Sequence, residues 1–306
     1  MTATLVFEQA LNGLQFGLML FLLAAGLTLV FGIMDMINLA HGSFYMLGAF
    51  MAASIANVSG SFWLAVFLAV PITAVIGMLL EMSLLRVLYT RDHLSQVLAT
   101  FALVLIINEV VRLVWGTDAS LSPPQSLANP VELYEGLSYS AYRLAIVVLG
   151  LIVAGCLYLL IAKTRFGMRL RAGASNRTMA YMMGGDVSRL FTLVFGLGAG
   201  LAALAGAALG PILAVQVGMG ESILILTFVV IVIGGVGSIR GALIGAVLVG
   251  MIDTMGRVFI PMFLRLTMPS HYSSDVGPAL ASILIYVLMA AVLYWKPQGL
   301  FPARNG

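Results

Sequence analysis

Charge and cysteine are both scarce in this chain of 306 residues, and each scarcity closes off a class of protein. Only 9% of residues are charged, 61% are hydrophobic and the mean hydropathy is +1.09. A soluble globule of this length could not cover its surface with so few polar groups, so a polytopic integral membrane protein is expected. A single cysteine, Cys156, excludes a disulfide framework and a cysteine metal site; inside an apolar run it is expected as a small buried hydrophobe. No Walker A sequence occurs, so ATP is not bound here through a P-loop. No second histidine, cysteine or carboxylate recurs at ligand spacing near His41, and His41 beside Ser43 with no orienting partner is not a triad, so neither a metal site nor a catalytic site is expected. The N-terminus lacks the positive start and small-residue cleavage pattern of a signal peptide, and its first apolar run is expected as a retained span. No soluble domain, linker or low-complexity tract interrupts the chain, which is expected to form one transmembrane domain over 1–306.

What the chain has instead is apolar length. A helix needs about 20 apolar residues to cross the hydrocarbon, and backbone in lipid must satisfy its hydrogen bonds internally. An all-α bundle of about eight to nine hydrophobic segments follows, at 9–31, 38–58, 62–85, 94–115, 139–162, 189–214, 221–238, 241–263 and 277–295. The second, with His41, Gly42 and Ser43 near its start, and the seventh, ending in Gly234, Gly235 and Gly237, are expected to be irregular. Spaced pairs of small residues, such as Gly13 with Gly17 and Ala202 with Gly206, let helix backbones approach closely. A weak echo between 31–52 and 232–251, glycine at a span's end followed by a polar step and a small-residue helix start, points to an internal duplication, although recurring glycine and alanine in packed membrane helices could also produce it.

The longest polar interruption is 163–189, with Lys163, Arg165, Arg169, Arg171, Arg177 and Arg189 against one acid, Asp186. Loops rich in lysine and arginine stay in the cytoplasm. With this loop inside, eleven of the fifteen basic residues fall inside, the N-terminus lies outside and the C-terminus is cytoplasmic. The outer face then carries 116–138, with Pro123 and Pro124. Membrane topology thus explains the net charge of +3 and the pI near 9.1, and no nucleic-acid partner is expected.

Polar residues inside spans are costly and therefore informative. Asn38, His41 and Tyr45 are spaced i, i+3, i+7, which on a helix is one face, with Ser43 and Asp35 beside them. They are candidates for a substrate pathway; capping by Asp35 and Asn38 with a structural bond from His41 stays open beside that. Asn108 and Gln216 are further pathway candidates. Glu109 with Arg112, and Asp253 with Arg257, are one turn apart and expected to neutralise each other. Glu81, within a turn or two of Arg86 at the inner end of the third span, is expected to need no further role.

Four stretches carry a resemblance: GLTLVFGIMDMINLAHGSFYMLGAF at 26–50, FGMRLRAGASNRTMAYMMGGDVSRL at 166–190, IGGVGSIRGALIGAVLVG at 233–250 and KPQGLFP at 296–302. In their order and spacing the whole chain resembles the LivH-type permease of bacterial branched-chain amino acid ABC importers. The resemblance implies a multi-pass protein of the bacterial inner membrane that pairs with a second, LivM-like permease and two ATPase subunits and receives its substrate from a periplasmic binding protein. It implies no cofactor in this chain, ATP and Mg being held by the ATPases. Residues 166–190 look like the family's cytoplasmic loop that meets the ATPase, making Arg169, Arg171, Ala172, Asn176, Ala180, Gly184 and Asp186 coupling candidates. Hydrophobic amino acids are the substrates it favours, with urea or a short amide, or an ion-driven secondary transporter, as the alternatives.

Overall fold

A computed structural model describes residues 2–34, 36–134, 137–266 and 270–301. Its twelve α-helices follow in order. They are α1 (Thr2–Met34), α2 (His41–Ser59), α3 (Phe62–Leu80), the single turn α4 (Arg86–Leu88), α5 (His93–Trp115), α6 (Ala141–Lys163), α7 (Arg165–Ser175), α8 (Arg177–Met182), α9 (Val187–Leu209), α10 (Met219–Gly234), α11 (Ile239–Leu264) and α12 (Ser270–Trp295). A π-helical turn, Glu81–Leu85, joins α3 to α4, so the two form one span. Strand is confined among the described residues to β1 (Asp118–Ala119) paired with β4 (Val215–Gln216), and the hairpin of β2 (Pro130–Tyr134) and β3 (Leu137–Ser140). The bundle is therefore all-α, as the hydropathy pattern requires.

Seven of these helices are long and apolar enough to cross a membrane. The two segments expected to be irregular each hold an unbroken helix, with residues 38–40 before α2 and 235–238 after α10 outside helix; both fall outside the seven, α10 because it has 16 residues and α2 because it is diluted by histidine, serine and asparagine. Gly235 at φ 106° and Gly237 at φ 79° stop α10 in backbone conformations that side-chain-bearing residues rarely adopt. Elsewhere, helices begin where a side chain takes a free amide. Asp92 accepts from the Ser95 amide at 3.1 Å to start α5, and Ser238 from the Gly241 amide at 3.1 Å to start α11. Ser95, through its hydroxyl and its amide, holds the exposed Asp92 carboxyl below its ordinary range.

The most enclosed helices are α1 and α9, while α3, α5, α6 and α12 turn most of their surface outward. Antiparallel to α1 runs α11, at a separation set by missing side chains: a Cβ on Gly17 would stand 2.8 Å from the Ala246 carbonyl oxygen. Tight backbone approach replaces the hydrophobic effect as the cohesive device in lipid. Cys156 departs from expectation, being exposed on α6, because that part of the helix faces away from the bundle.

Three of the four stretches that carry the family resemblance meet in space. Gly32 of the first lies against Gly237 of the third, 2.7 Å separating a Cβ on Gly32 from the Gly237 Cα. The C-terminal stretch folds back on the third, Leu300 donating its amide to the Ile233 carbonyl at 2.9 Å and Phe301 to that of Gly234 at 2.9 Å. The two echoing segments thus touch where the last turns of α1 meet the link between α10 and α11.

Candidate functional site

The first cluster surrounds the start of α2. Asn38, His41, Ser43 and Tyr45 are 0%, 1%, 3% and 1% exposed. The single helical face expected for Asn38, His41 and Tyr45 does not form, because α2 begins only at His41. Asn38 sits in the preceding turn, where its Oδ1 accepts from the Ala40 amide at 3.1 Å and its neighbours are drawn out of helix. Asp35 lies outside the described residues. The His41 ring is seated between two backbones: a Cβ on Gly26 of α1 would stand 3.0 Å from its Nε2, and one on Gly198 of α9 3.4 Å from its Cε1. Phe44 meets the His41 ring edge-on at 6.4 Å and the Phe195 ring at 5.7 Å, which closes the site from α9.

Three polar atoms in this cluster have no hydrogen-bond partner among the described residues: Asn38 Nδ2, His41 Nε2 and Tyr45 Oη. Buried polar groups normally find partners, and each one left without costs about 1–3 kcal/mol. Three such atoms lie close together here, and Thr28 Oγ1, Thr73 Oγ1 and Gln96 Oε1 are likewise without a partner among the described residues.

The remaining pathway candidates form a second cluster on the outer surface of the bundle, beside the start of α10. Asn108 of α5 donates its Nδ2 to Glu221 Oε1 at 2.6 Å. Gln216 is exposed on β4, opposite Asp118 of β1. Glu221 escaped the sequence reading, although an acid just after a glycine-rich turn (Gly218, Gly220) that opens an apolar helix was a usable signal. The two clusters meet at the helix starts. Gly42 of α2 and Gly220 of α10 face each other so closely that a Cβ on either would overlap the other's carbonyl. His41 and Glu221 therefore flank one backbone-to-backbone contact.

At the basic end, α7 turns Leu170, Gly167 and Gly173 inward and packs on α1, α6 and α9, leaving Arg165, Arg169, Arg171 and Ala172 outside. Arg171 donates to the Ile161 carbonyl. Three of the residues singled out there shape the chain. Asn176 caps α8 by accepting from the Met179 amide at 2.9 Å, Gly184 at φ 79° turns the chain out of α8, and Asp186 caps α9 by accepting from the Arg189 amide at 3.0 Å. Ala180 is half-buried. The sequence reading missed the side chains these turns present: Met179, Tyr181, Met182 and Met183 are 59%, 73%, 75% and 84% exposed. An apolar tip of this kind, between arginines and beyond the bundle, is unusual unless something covers it.

Between this tip and the bundle lies a buried carboxylate. Glu81 is 0% exposed and takes hydrogen bonds from Arg86 at 3.1 and 3.3 Å, Tyr89 Oη at 2.9 Å and Thr192 Oγ1 at 2.7 Å. Arg86 was foreseeable from its spacing; Tyr89 and Thr192 were not, and Thr192 brings α9 into the network. Because the π-helical turn starts at Glu81, the network also fixes where α3 changes pitch. Glu81→Ala should lower stability by about 1–2 kcal/mol, since it takes the acceptor from three half-buried donors that water can partly reach; a thermal melt of the solubilised protein measures it, and an unchanged melt would show that the network adds no stability. The two other helical pairs form as expected, Arg112 with Glu109 at 3.0 Å and Arg257 with Asp253 at 2.8 Å.

The family described as branched-chain amino acid transport system permease component matches residues 9–293. The high-affinity branched-chain amino acid transport system permease protein BraD of Pseudomonas aeruginosa is 29% identical, covering 96% of this chain and 94% of its own length. LivH of Escherichia coli K12, described in the same terms, is 27% identical with 94% of each chain covered. A solved structure described as an inward-facing metal-chelate type ABC transporter is 17% identical and covers 92% of this chain and 85% of its own, with a TM-score of 0.47. The family match runs through α1 to α12 and takes in both clusters and the basic end, and on it the chain belongs to the permease components of branched-chain amino acid transport systems.

Proposed function

We propose that this permease moves branched-chain or other hydrophobic amino acids from periplasm to cytoplasm, driven by two partner ATPases. The observation that carries the proposal is the family match over nearly the whole chain, together with relatives named as branched-chain amino acid permeases. A second, LivM-like permease completes the membrane unit, and a periplasmic binding protein delivers the substrate. The basic segment 163–189 lies in the cytoplasm and the C-terminus on the same side of the bacterial inner membrane, in keeping with the charge bias of the loops.

Within that frame the apolar tip of α8 docks on the ATPase, and Arg169 and Arg171 meet acidic groups around it. Asn176, Gly184 and Asp186 give the docking element its shape, while Ala172 and Ala180 let it sit close. Movement of α8 passes through α9 to Thr192 and the Glu81 network, and from there to the helices that enclose His41. Asn38, His41, Ser43 and Tyr45 on one side of the Gly42 and Gly220 contact, and Asn108 and Gln216 on the other, line the passage when α2 and α10 separate. Asn38 Nδ2, His41 Nε2 and Tyr45 Oη, without partners among the described residues, then meet water or solute.

Uptake by cells whose only importer of this class contains this permease tests the substrate. Labelled leucine, isoleucine and valine are expected to accumulate and to compete with one another, while urea and acetamide neither accumulate nor compete. Accumulation of urea without leucine would overturn the substrate assignment.

A further inference from the structure

The carboxylate of Glu221 stands in surroundings that do not suit it. It lies in the first turn of α10 and is exposed, with Leu105 and Ile106 of α5 and Ile225 of α10 exposed on the same two helices at 51%, 58% and 53%. Its partner Asn108 is seven residues before the end of α5, about 10 Å inside that span at the helical rise. Glu81, Glu109 and Asp253 each face an arginine, whereas among the described residues no cation stands within ion-pair distance of Glu221. A neutral amide holds one of its oxygens, and the positive end of α10 stands where the other acids have an arginine. Acyl chains would be a poor environment for the carboxylate charge, so the surface carrying Glu221 belongs to a wet or partnered interior.

We infer that Glu221 is a binding group for the ammonium of the passing solute. This rests on the proposed function, since it assigns one pole of an amino acid zwitterion to a named residue. Asn108 is the positioning residue: its Nδ2 at 2.6 Å from Oε1 fixes the carboxylate and leaves Oε2 as the acceptor for an N–H of the solute. The site opens next to the Gly42 and Gly220 contact, where the unpartnered Asn38, His41 and Tyr45 atoms lie on the far side. A hydrophobic amino acid presents one cationic head and an apolar side chain; Glu221 offers the complement of the first, and Ile225 one turn on, with Leu105 one turn before Asn108, of the second. Two plainer roles compete. The acid could only complement the positive end of α10, or it could pair with a cation of the second permease.

The test is ATP-driven uptake of labelled leucine by the complete complex in proteoliposomes, with saturating binding protein, for the unmodified protein, Glu221→Gln, Glu221→Asp and Asn108→Ala. Glutamine keeps the bond to Asn108 and removes the charge, and uptake is expected to fall at least about tenfold while the partner subunits still co-purify. Aspartate, which keeps the charge, should recover a large part of that loss, and Asn108→Ala should fall between the two. Unchanged uptake by Glu221→Gln would overturn the inference and leave a helix-end charge. Loss of the second permease from the Glu221→Gln complex would overturn it too, in favour of a subunit-pairing residue. If the unmodified complex takes up no leucine with ATP, the proposed function itself fails, which separates the two failures.

Discussion

Replacing Tyr181 and Met182 together by serine should separate the permease from its ATPases while the membrane bundle stays folded. Both side chains stand outside the fold, at 73% and 75% exposure, so their loss removes no core contact and should change the stability of the chain alone by no more than about 0.5 kcal/mol. Covered by a partner, each contributes on the order of 2 kcal/mol through its apolar area. The pair then accounts for about 4 kcal/mol, a weakening of roughly a thousandfold in affinity. Titrating the detergent-solubilised permease pair with ATPase measures this directly, and uptake should disappear with it. An affinity within a factor of about two of the unmodified protein would make α8 a solvated connector that only sets topology. Gly184 is a less clean probe of docking: at φ 79° any side chain strains the backbone, although nothing stands within 4 Å of its added Cβ.

His41→Ala should abolish most transport at little cost to the fold. Two effects on stability oppose each other. The missing imidazole leaves a cavity between Gly26 and Gly198, which costs on the order of 2 kcal/mol or more. Against that, the unpartnered Nε2 disappears, and a buried polar atom without a bond costs about 1–3 kcal/mol. The net change is therefore small, about 1–2 kcal/mol or less, and the variant should assemble with its partners. Uptake should fall at least about tenfold, because His41 Nε2, without a partner among the described residues, is the atom a solute or water would meet if α2 and α10 separate. Normal uptake with a lowered melting temperature would assign His41 to packing alone.

Much of the bundle was legible in the sequence because hydropathy in lipid is a local property. The lengths of the apolar runs located all nine hydrophobic segments, and the polar and glycine steps picked out α2 and α10 as the two that fall short of ordinary spans. The spacing of charges found Glu81 with Arg86, Glu109 with Arg112 and Asp253 with Arg257, since each pair lies on one continuous stretch of chain.

Contacts between distant helices left no such trace. Thr192 stands 111 positions from Glu81, and Glu221 stands 113 from Asn108, so no spacing rule could join them. The face of Asn38, His41 and Tyr45 was misjudged for a local reason, the competition of the Asn38 side chain for the Ala40 amide, which ends helix where periodicity alone would continue it. Cys156 was misjudged because in lipid an apolar run does not say which of its sides faces the bundle. At the basic end the arginines drew attention through their charge, while Met179, Tyr181, Met182 and Met183 looked like ordinary apolar residues until their exposure was known.

Leucine uptake into proteoliposomes, with this permease, its second permease and both ATPases in the membrane and the loaded binding protein outside, tests ATP-driven import through this chain most directly. Leucine is expected to accumulate only when ATP reaches the ATPases, to stop when their P-loop lysine is replaced, and to be indifferent to ionophores. Accumulation that continues without ATP hydrolysis and follows a proton or sodium gradient would contradict it.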